Sequence, residues 1–406
     1  MTNPANVAPE LRHDPEIGPA LPDALAIAMR GVHRAVSELK RGTPVLITGV
    51  PGGAQGSSHG TLLVAAAETV GARGLAELAE GALSPPCLLL APVRAAAVLQ
   101  RPVKAGLAGA GQPGAEDGVA ALRLPPALLQ PAALRSLADP VAERLLPDAP
   151  ELVAPPALGP AAIALAKLGR LLPALVAAPV REDVAERLGL LRVPAADVLS
   201  YPATAATTLV RVAEARVPLE DAQDARIVAF RAADGGIEHL AILVGEPEAL
   251  AARGGAPLAR AHSECFTGDL LGSLRCDCGP QLRGAIRRMA EEGSGVLLYL
   301  AQEGRGIGLV NKLRAYTLQD GGLDTLDANR ALGYGADERG FLVAATMLGQ
   351  LGIPRVRLLT NNPDKMAGLS ACGIEVTERA AHHFAANGVN DKYLETKAER
   401  FGHLLD

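Results

Sequence analysis

Tryptophan is absent from this 406-residue chain, and aromatic residues make up only 2% of it. Platforms that stack single-stranded nucleic acid need such rings, so that class is excluded. Positive charge is not in excess either. The 39 Lys and Arg face 44 Asp and Glu, a net charge of −5, where a nucleic-acid coat needs a basic surface. No run of about 18 apolar residues escapes interruption by Pro or charge, which argues against a membrane-spanning helix. The opening residues MTNPANVAPELRHDPEIGPA lack a basic stretch followed by an apolar core, so they do not read as a secretory signal. Cysteines number five, an odd count that suits a reducing compartment better than a disulfide framework. These absences predict a cytoplasmic protein with neither membrane nor nucleic-acid partner, long enough for two domains with a core each.

What is present concentrates in residues 260–278, RAHSECFTGDLLGSLRCDC, where Cys265, Cys276 and Cys278 fall within fourteen residues. Three thiolates suit Zn2+, and three protein ligands leave a fourth position open, as catalytic zinc requires. A structural zinc completed by His262, or three free thiols, are the alternatives that spacing leaves open. Downstream, residues 302–308 (QEGRGIG) join a strand to a helix, where Gly-rich backbone and a helix N-terminus favour an anion. Arg305 there can grip phosphate oxygens in bidentate fashion. Lys312 and Tyr316, four apart, share a helix face. Asp337 and Arg339 are expected to open a further helix, and residues 360–365 (TNNPDK) make a second strand-to-helix anion site. Cys87 and Cys372 read as packing residues.

Along the first half, composition predicts a disordered, Pro-rich tail over 1–22. Periodicity then predicts a helix over 24–40, strands at 44–48 and 87–91, and helices at 61–70, 161–168 and 181–188. The Gly-rich turn at 49–60 matches neither the dinucleotide fingerprint nor the P-loop, and His59 in it reads as a surface residue. Residues 112–160 are rich in Ala, Leu and Pro without a clear period. From about Tyr201, alternating segments at 208–219, 226–231, 238–245 and 257–263 predict an antiparallel sheet leading into the cysteine stretch. Helices at 281–292, 307–319, 338–351 and 391–405 and strands at 295–300 and 355–360 follow.

From about Thr207 to Leu405 these motifs resemble GTP cyclohydrolase II, the first enzyme of riboflavin synthesis. RAHSEC, TGD, SLRCDCG, QEGRGIGL, NKLRAY, ADER, LLTNNPDK and the terminal YLETKAERFGHLL carry the likeness. The resemblance implies one zinc ion per subunit on Cys265, Cys276 and Cys278. It implies GTP held by Arg260, Ala261, His262, Ser263, Glu264, Gln281, Glu303, Gly304, Arg305, Thr325, Thr360 and Lys365, with Mg2+ on the triphosphate. Tyr316 would act near the opening imidazole ring, Asp337 as proton acceptor and Arg339 as nucleophile on the α-phosphorus, in a homodimer. The expected products are formate, pyrophosphate and 2,5-diamino-6-ribosylamino-4(3H)-pyrimidinone 5′-phosphate. Ala301 stands where many relatives carry Arg, and Asn387-Gly-Val-Asn390 replaces Asn-Pro-x-Asn; neither removes a residue of that mechanism.

Residues 23–200 resemble 3,4-dihydroxy-2-butanone 4-phosphate synthase through 26–47, 62–68, 88–99, 161–168 and 190–210. That family's acidic metal-binding loop is replaced by the uncharged segment 49–61, and its catalytic His and Glu fall on Leu158 and Pro160. The resemblance therefore implies an α+β remnant without the synthase reaction, followed over 201–406 by an α/β domain with a mixed sheet. Two other readings compete. One is a bifunctional enzyme that also uses ribulose 5-phosphate; the other is a GTP-binding regulator that has lost turnover.

Overall fold

The computed structural model describes residues 23–49, 60–103, 118–144, 149–382, 384–402 and 404. The tail over 1–22 and most of the 49–60 turn, His59 included, lie outside the described residues. Two seven-stranded sheets organise the chain, one in each half, giving the α+β class expected.

The first sheet comprises β1 (Val45–Thr48), β2 (Thr61–Ala66), β3 (Cys87–Leu90), β4 (Ala120–Arg123), β5 (Glu151–Val153), β6 (Ala174–Pro179) and β7 (Leu191–Pro194), in the order β5-β4-β3-β6-β2-β1-β7. All neighbours run antiparallel except β1 and β7. Helix Asp23–Arg41 covers one face with Val32, Ala35, Val36 and Leu39, a spacing that places them on one stripe. The helix expected from Thr61 is instead β2. Every residue of TLLVAA is buried, so no alternation marks it, and a central strand of this kind cannot be told by period from a buried helix.

The second sheet comprises β8 (Val210–Arg216), β9 (Arg226–Arg231), β10 (His239–Gly245), β11 (Leu258–Ser263), β12 (Ser294–Leu300), β13 (Arg355–Leu359) and β14 (Glu375–Ala380), in the order β14-β13-β11-β12-β10-β9-β8. The predicted antiparallel pattern holds for β8, β9 and β10, but β11 pairs in parallel with β12 and β13, so the sheet is mixed. A second correction concerns the helix expected at Glu338, which begins at Leu342. Ahead of it, Asp337 Oδ1 accepts from the Arg339 N–H at 3.0 Å and Glu338 Oε1 from the Gly335 N–H at 2.7 Å. Acidic side chains that satisfy local N–H groups compete with a helical turn.

The expectation of two separate cores also changes. Ile307, Ala315, Ala328, Leu332 and Tyr334 of the second half pack into the cluster on one face of the first sheet, beside Leu88, Leu122 and Leu172. Met29 joins the cluster of the second sheet. Helix Ala195–Thr207 runs unbroken across Tyr201, where composition changes. No helix among the described residues is long and apolar enough to cross a membrane.

Candidate active site

Because β12, β11 and β13 are parallel, the loops that leave them at 301–308, 264–278 and 360–362 emerge side by side. Ligands bind at such strand ends. The loops line a cavity of about 670 Å³, walled also by helices Leu309–Asp320, Thr325–Ala331 and Asp391–Phe401.

At one end the sulfurs of Cys265, Cys276 and Cys278 lie within 4.8 Å of one another. Gly268 makes room for them: a Cβ there would stand 2.6 Å from Cys276 Sγ and 3.0 Å from Cys265 Sγ. Hydrogen bonds from the other two thiols, helped by Lys312, hold Cys265 well below the ordinary thiol range. Its bond to Cys265 pushes Cys276 up to about 11, and Cys278 is pushed well above its usual value by the same pairings. Close thiols resist carrying charge together, and a divalent metal is what lets all three become thiolates. The donor set fits a metal ion. His262 is not a fourth ligand, which corrects that alternative. Its Nε2 faces Asp269 Oδ2 at 3.1 Å and its Nδ1 accepts from Arg260 Nε at 3.4 Å, so both nitrogens are in use.

Spacing sets Lys312 beside Tyr316, and the structure adds that it lines the cavity. Its ammonium donates to Cys265 Sγ at 3.0 Å, Thr267 Oγ1 at 2.9 Å and Glu303 Oε1 at 2.8 Å. Burial works against its charge, yet Cys265 and Glu303 raise its proton affinity above the lysine range. Tyr316 Oη lies 3.4 Å from Thr267 Oγ1, and the Arg275 guanidinium sits 5.0 Å from the Tyr316 ring centre. Burial raises the pKa of this phenol.

Elsewhere the cavity gathers cations. Arg260 donates to the Leu359 carbonyl at 3.1 Å and to Gln281 Oε1, and burial pulls it down to about 10. Lys365 donates to the Ala261 carbonyl at 2.8 Å; burial, then Arg339 and Arg260, drive it well below the lysine range. Burial also lowers Arg305. Gly304, Arg305, Gly306 and Gly308 all have positive φ, 64°, 64°, 98° and 85°. For Arg305 this is strained, and such strain concentrates at functional turns. Asp337 accepts from Arg339 Nε at 2.8 Å. Burial raises the Asp337 pKa, but the Arg339 pairing outweighs it and holds the carboxyl below its usual range; Asp337 correspondingly raises Arg339. Crowded, desolvated cations are stabilised by a polyanion.

Every residue expected in the site lines this cavity except Ala261, which offers its carbonyl to Lys365, and Asp337, which stands behind Arg339. Thr325 opens helix Thr325–Ala331, and Thr360 Oγ1 accepts from the Asn362 N–H at 3.0 Å. Glu264 Oε1 accepts from the Glu303 N–H at 3.3 Å. Besides Lys312, the buried Asp277–Lys397 pair at 2.6 Å and Tyr393 escaped sequence reading. Tyr393 and Lys397 lie four apart on the last helix, a signal that was available.

Residues 210–381 match the family model described as GTP cyclohydrolase II. A GTP cyclohydrolase-2 from Azospirillum brasilense is 50% identical over 391 residues, covering 93% of this chain and 94% of that one. Another, from Pasteurella multocida (strain Pm70), is 52% identical over 196 residues, 48% of this chain and 87% of its own. Among solved structures, a two-domain 3,4-dihydroxy-2-butanone 4-phosphate synthase from A. baumannii covers 87% of this chain and 99% of that one. Its 20% identity and TM-score of 0.32 are too low to carry an argument. The A. brasilense relative, by contrast, is matched across both halves, and with that the chain belongs to the GTP cyclohydrolase II family.

Proposed function

We propose that the cavity binds GTP and that the chain hydrolyses it at two places. At the guanine, two waters break the two C–N bonds to C8 in turn, through a formamide, and C8 leaves as formate. At the α-phosphorus a third water is consumed as pyrophosphate is released, leaving 2,5-diamino-6-ribosylamino-4(3H)-pyrimidinone 5′-phosphate for riboflavin synthesis. The observation that carries this reading is the joining of a three-thiol metal cradle and a cluster of crowded cations in one cavity. Ring opening needs the first and a triphosphate needs the second.

Zinc suits the thiolate set, and when bound it lowers the proton affinity of a water at its open position. Around it, Lys312 and Glu303 fix Cys265. Tyr316, whose phenol burial keeps protonated, would give a proton to the opening imidazole. Arg260, Arg305 and Lys365 would bind phosphate oxygens, with Mg2+ shared by phosphates and water. Asp337 sits on the Arg339 Nε–H. Arg339 nitrogen attack on the α-phosphorus would form a P–N bond as the bond to the β-phosphate breaks and pyrophosphate leaves, with the arginine proton passing to Asp337. Water then cleaves the P–N bond and returns the proton to Arg339. The free pair favours the charged form, so this step belongs after substrate has entered and disturbed the pairing.

We assign residues 23–200 to a first domain without chemistry of its own and 201–406 to the catalytic domain, in a cytoplasmic protein with no nucleic-acid partner. Leu158 packs against the apolar cluster of the first sheet, which disfavours a second reaction there. A homodimer is supported by exposed Phe266, Leu270, Leu271 and Leu274 beside exposed Val310 and Leu313, on segments tied by Lys312–Thr267 and Arg275–Asp320.

Purified, zinc-loaded protein given GTP should release formate and pyrophosphate. Tyr316→Phe should slow formate release roughly 100-fold, as loss of a general acid does, and pyrophosphate release much less. Zinc-bearing protein that yields neither product defeats the reading; tight GTP binding without product would favour the regulator.

A further inference from the structure

The first domain reaches the site at one corner. Helix Gly159–Leu168 ends there, and residues 167–171 turn against the loop that follows β12. Lys167 Nζ lies 2.7 Å from Glu338 Oε1, and Glu338 stands between Asp337 and Arg339. Arg170 Nη2 donates to the Ala301 carbonyl at 2.6 Å, while its Nη1 is 3.9 Å from Glu264 Oε1. The same Glu264 oxygen accepts from Glu303, Glu303 pairs with Lys312, and Lys312 donates to Cys265 Sγ. A continuous run of polar contacts therefore links the first domain to a thiol of the metal cradle.

This corner is shaped for the contact. Arg170 has φ +55°, a left-handed conformation that disfavours any side chain. The second domain holds it so: Asn311 Nδ2, fully buried, donates to the Arg170 carbonyl at 2.9 Å, and Tyr334 Oη donates to the Leu171 carbonyl. At Gly308 a Cβ would come to 2.9 Å from Arg170 Cδ, so the approach of the arginine itself calls for glycine there. Ala301 is held through both of its flanking peptides, its carbonyl by Arg170 and its N–H by His239 Nδ1 at 3.1 Å.

We propose that Lys167 and Arg170 form a positioning clamp for the nucleotide site, supplied by the domain that does no chemistry. Arg170 sets Glu264 and the 301–308 turn; Lys167 sets Glu338 and, through it, the Asp337–Arg339 pair. The clamp rests on the assignment of GTP hydrolysis to this cavity for what it positions. It gives the first domain a role that neither substrate nor metal contact requires. The two residues act through others and are not themselves catalytic.

The test uses the full-length, zinc-loaded chain with Arg170→Ala, Arg170→Lys and Lys167→Met. Arg170→Ala should lower kcat for formate roughly 10- to 100-fold, the range for partners that orient a metal site, with a smaller change in KM. A chelator should strip its zinc faster. Arg170→Lys, which can still reach the Ala301 carbonyl, should recover part of both. Lys167→Met should slow pyrophosphate release more than formate release. As a control, Leu78→Ala loosens the first domain's core under helix Ala72–Gly81, which packs on β2 and β6; it should lower Tm yet leave kcat per zinc-loaded molecule unchanged. If Arg170→Ala also lowers Tm but leaves kcat and zinc release as in the wild type, the corner is mere packing and the clamp is overturned. If the wild type releases no formate, the assignment of function fails instead, and zinc-release rates of Arg170→Ala against wild type still decide the clamp.

Discussion

The two domains bury apolar strands alike and differ in what else they bury. Among the described residues, the first domain's buried polar side chains are Thr61 and Ser136, both uncharged. The second buries six ionisable side chains, Arg260, His262, Asp277, Glu303, His382 and Lys397, and the uncharged Asn311, Asn329, Thr360, Asn361, Asn362 and Asn390. A buried charge costs several kcal/mol unless it is paired, and replacing a buried pair by apolar residues is often neutral or stabilising. Stability alone therefore gives little reason to keep the polar interior of the second domain. Leu158, half-buried against the apolar cluster, and Pro160, in the first turn of helix Gly159–Leu168, offer no ionisable side chain in the first domain. The difference teaches that ionisable side chains are buried where the cavity lies, while the first domain keeps an apolar interior and meets its neighbour through surface residues.

The strongest way to break the comparison is to take the metal cradle away. Cys276→Ser should lose zinc, as read by elemental analysis, and formate release should fall by more than about 100-fold, beyond the range for outer-shell partners. Full zinc content with full turnover in that variant would mean that the polar interior is not the source of activity. A milder intrusion is Lys312→Met, which keeps the thiols but removes the ammonium shared by Cys265, Thr267 and Glu303. A loss of roughly 10- to 100-fold in kcat is expected, with zinc bound but more readily chelated. An unchanged rate would show that Glu303 and Cys265 need no common partner.

Much of this was legible in the sequence, for a physical reason. The site is built from three strand-to-helix loops, and each loop is a local motif: RAHSEC, QEGRG and TNNPDK carry their ligands within a few residues. Parallel strands then bring the loops together, which spacing cannot reveal but which a mixed sheet implies. Other features had no local signature. β2 is buried on both faces and so shows no period. The Asp337–Arg339 loop looked like a helix start because the same acidic residues cap helices and satisfy turns. Arg170 meets Ala301 across 131 residues, and nothing in the Leu-Gly-Arg-Leu segment that holds it marks a contact with a distant loop. Only the fold brings Arg170 of the first domain up against the cavity of the second.

The smallest effect expected lies where the two domains grip each other. His239 is pushed down to about 4, first by burial and then by the Arg170 guanidinium facing it. Its Nδ1 accepts the Ala301 N–H, a bond that only the neutral ring can make. In the unfolded chain a histidine titrates near ~6.5. Between those values the folded protein binds fewer protons than the unfolded one, so stability is full above the unfolded pKa and is lost as pH falls toward 4. His382, pushed down to about 3 by burial and then by Arg260, acts in the same direction. Tm should therefore drop by on the order of a few degrees between neutral pH and about pH 5. His239→Asn keeps an acceptor for Ala301 without titrating and should flatten part of that acid limb. A limb of unchanged depth in the variant would remove His239 from the account and leave the grip on Ala301 to Arg170 alone.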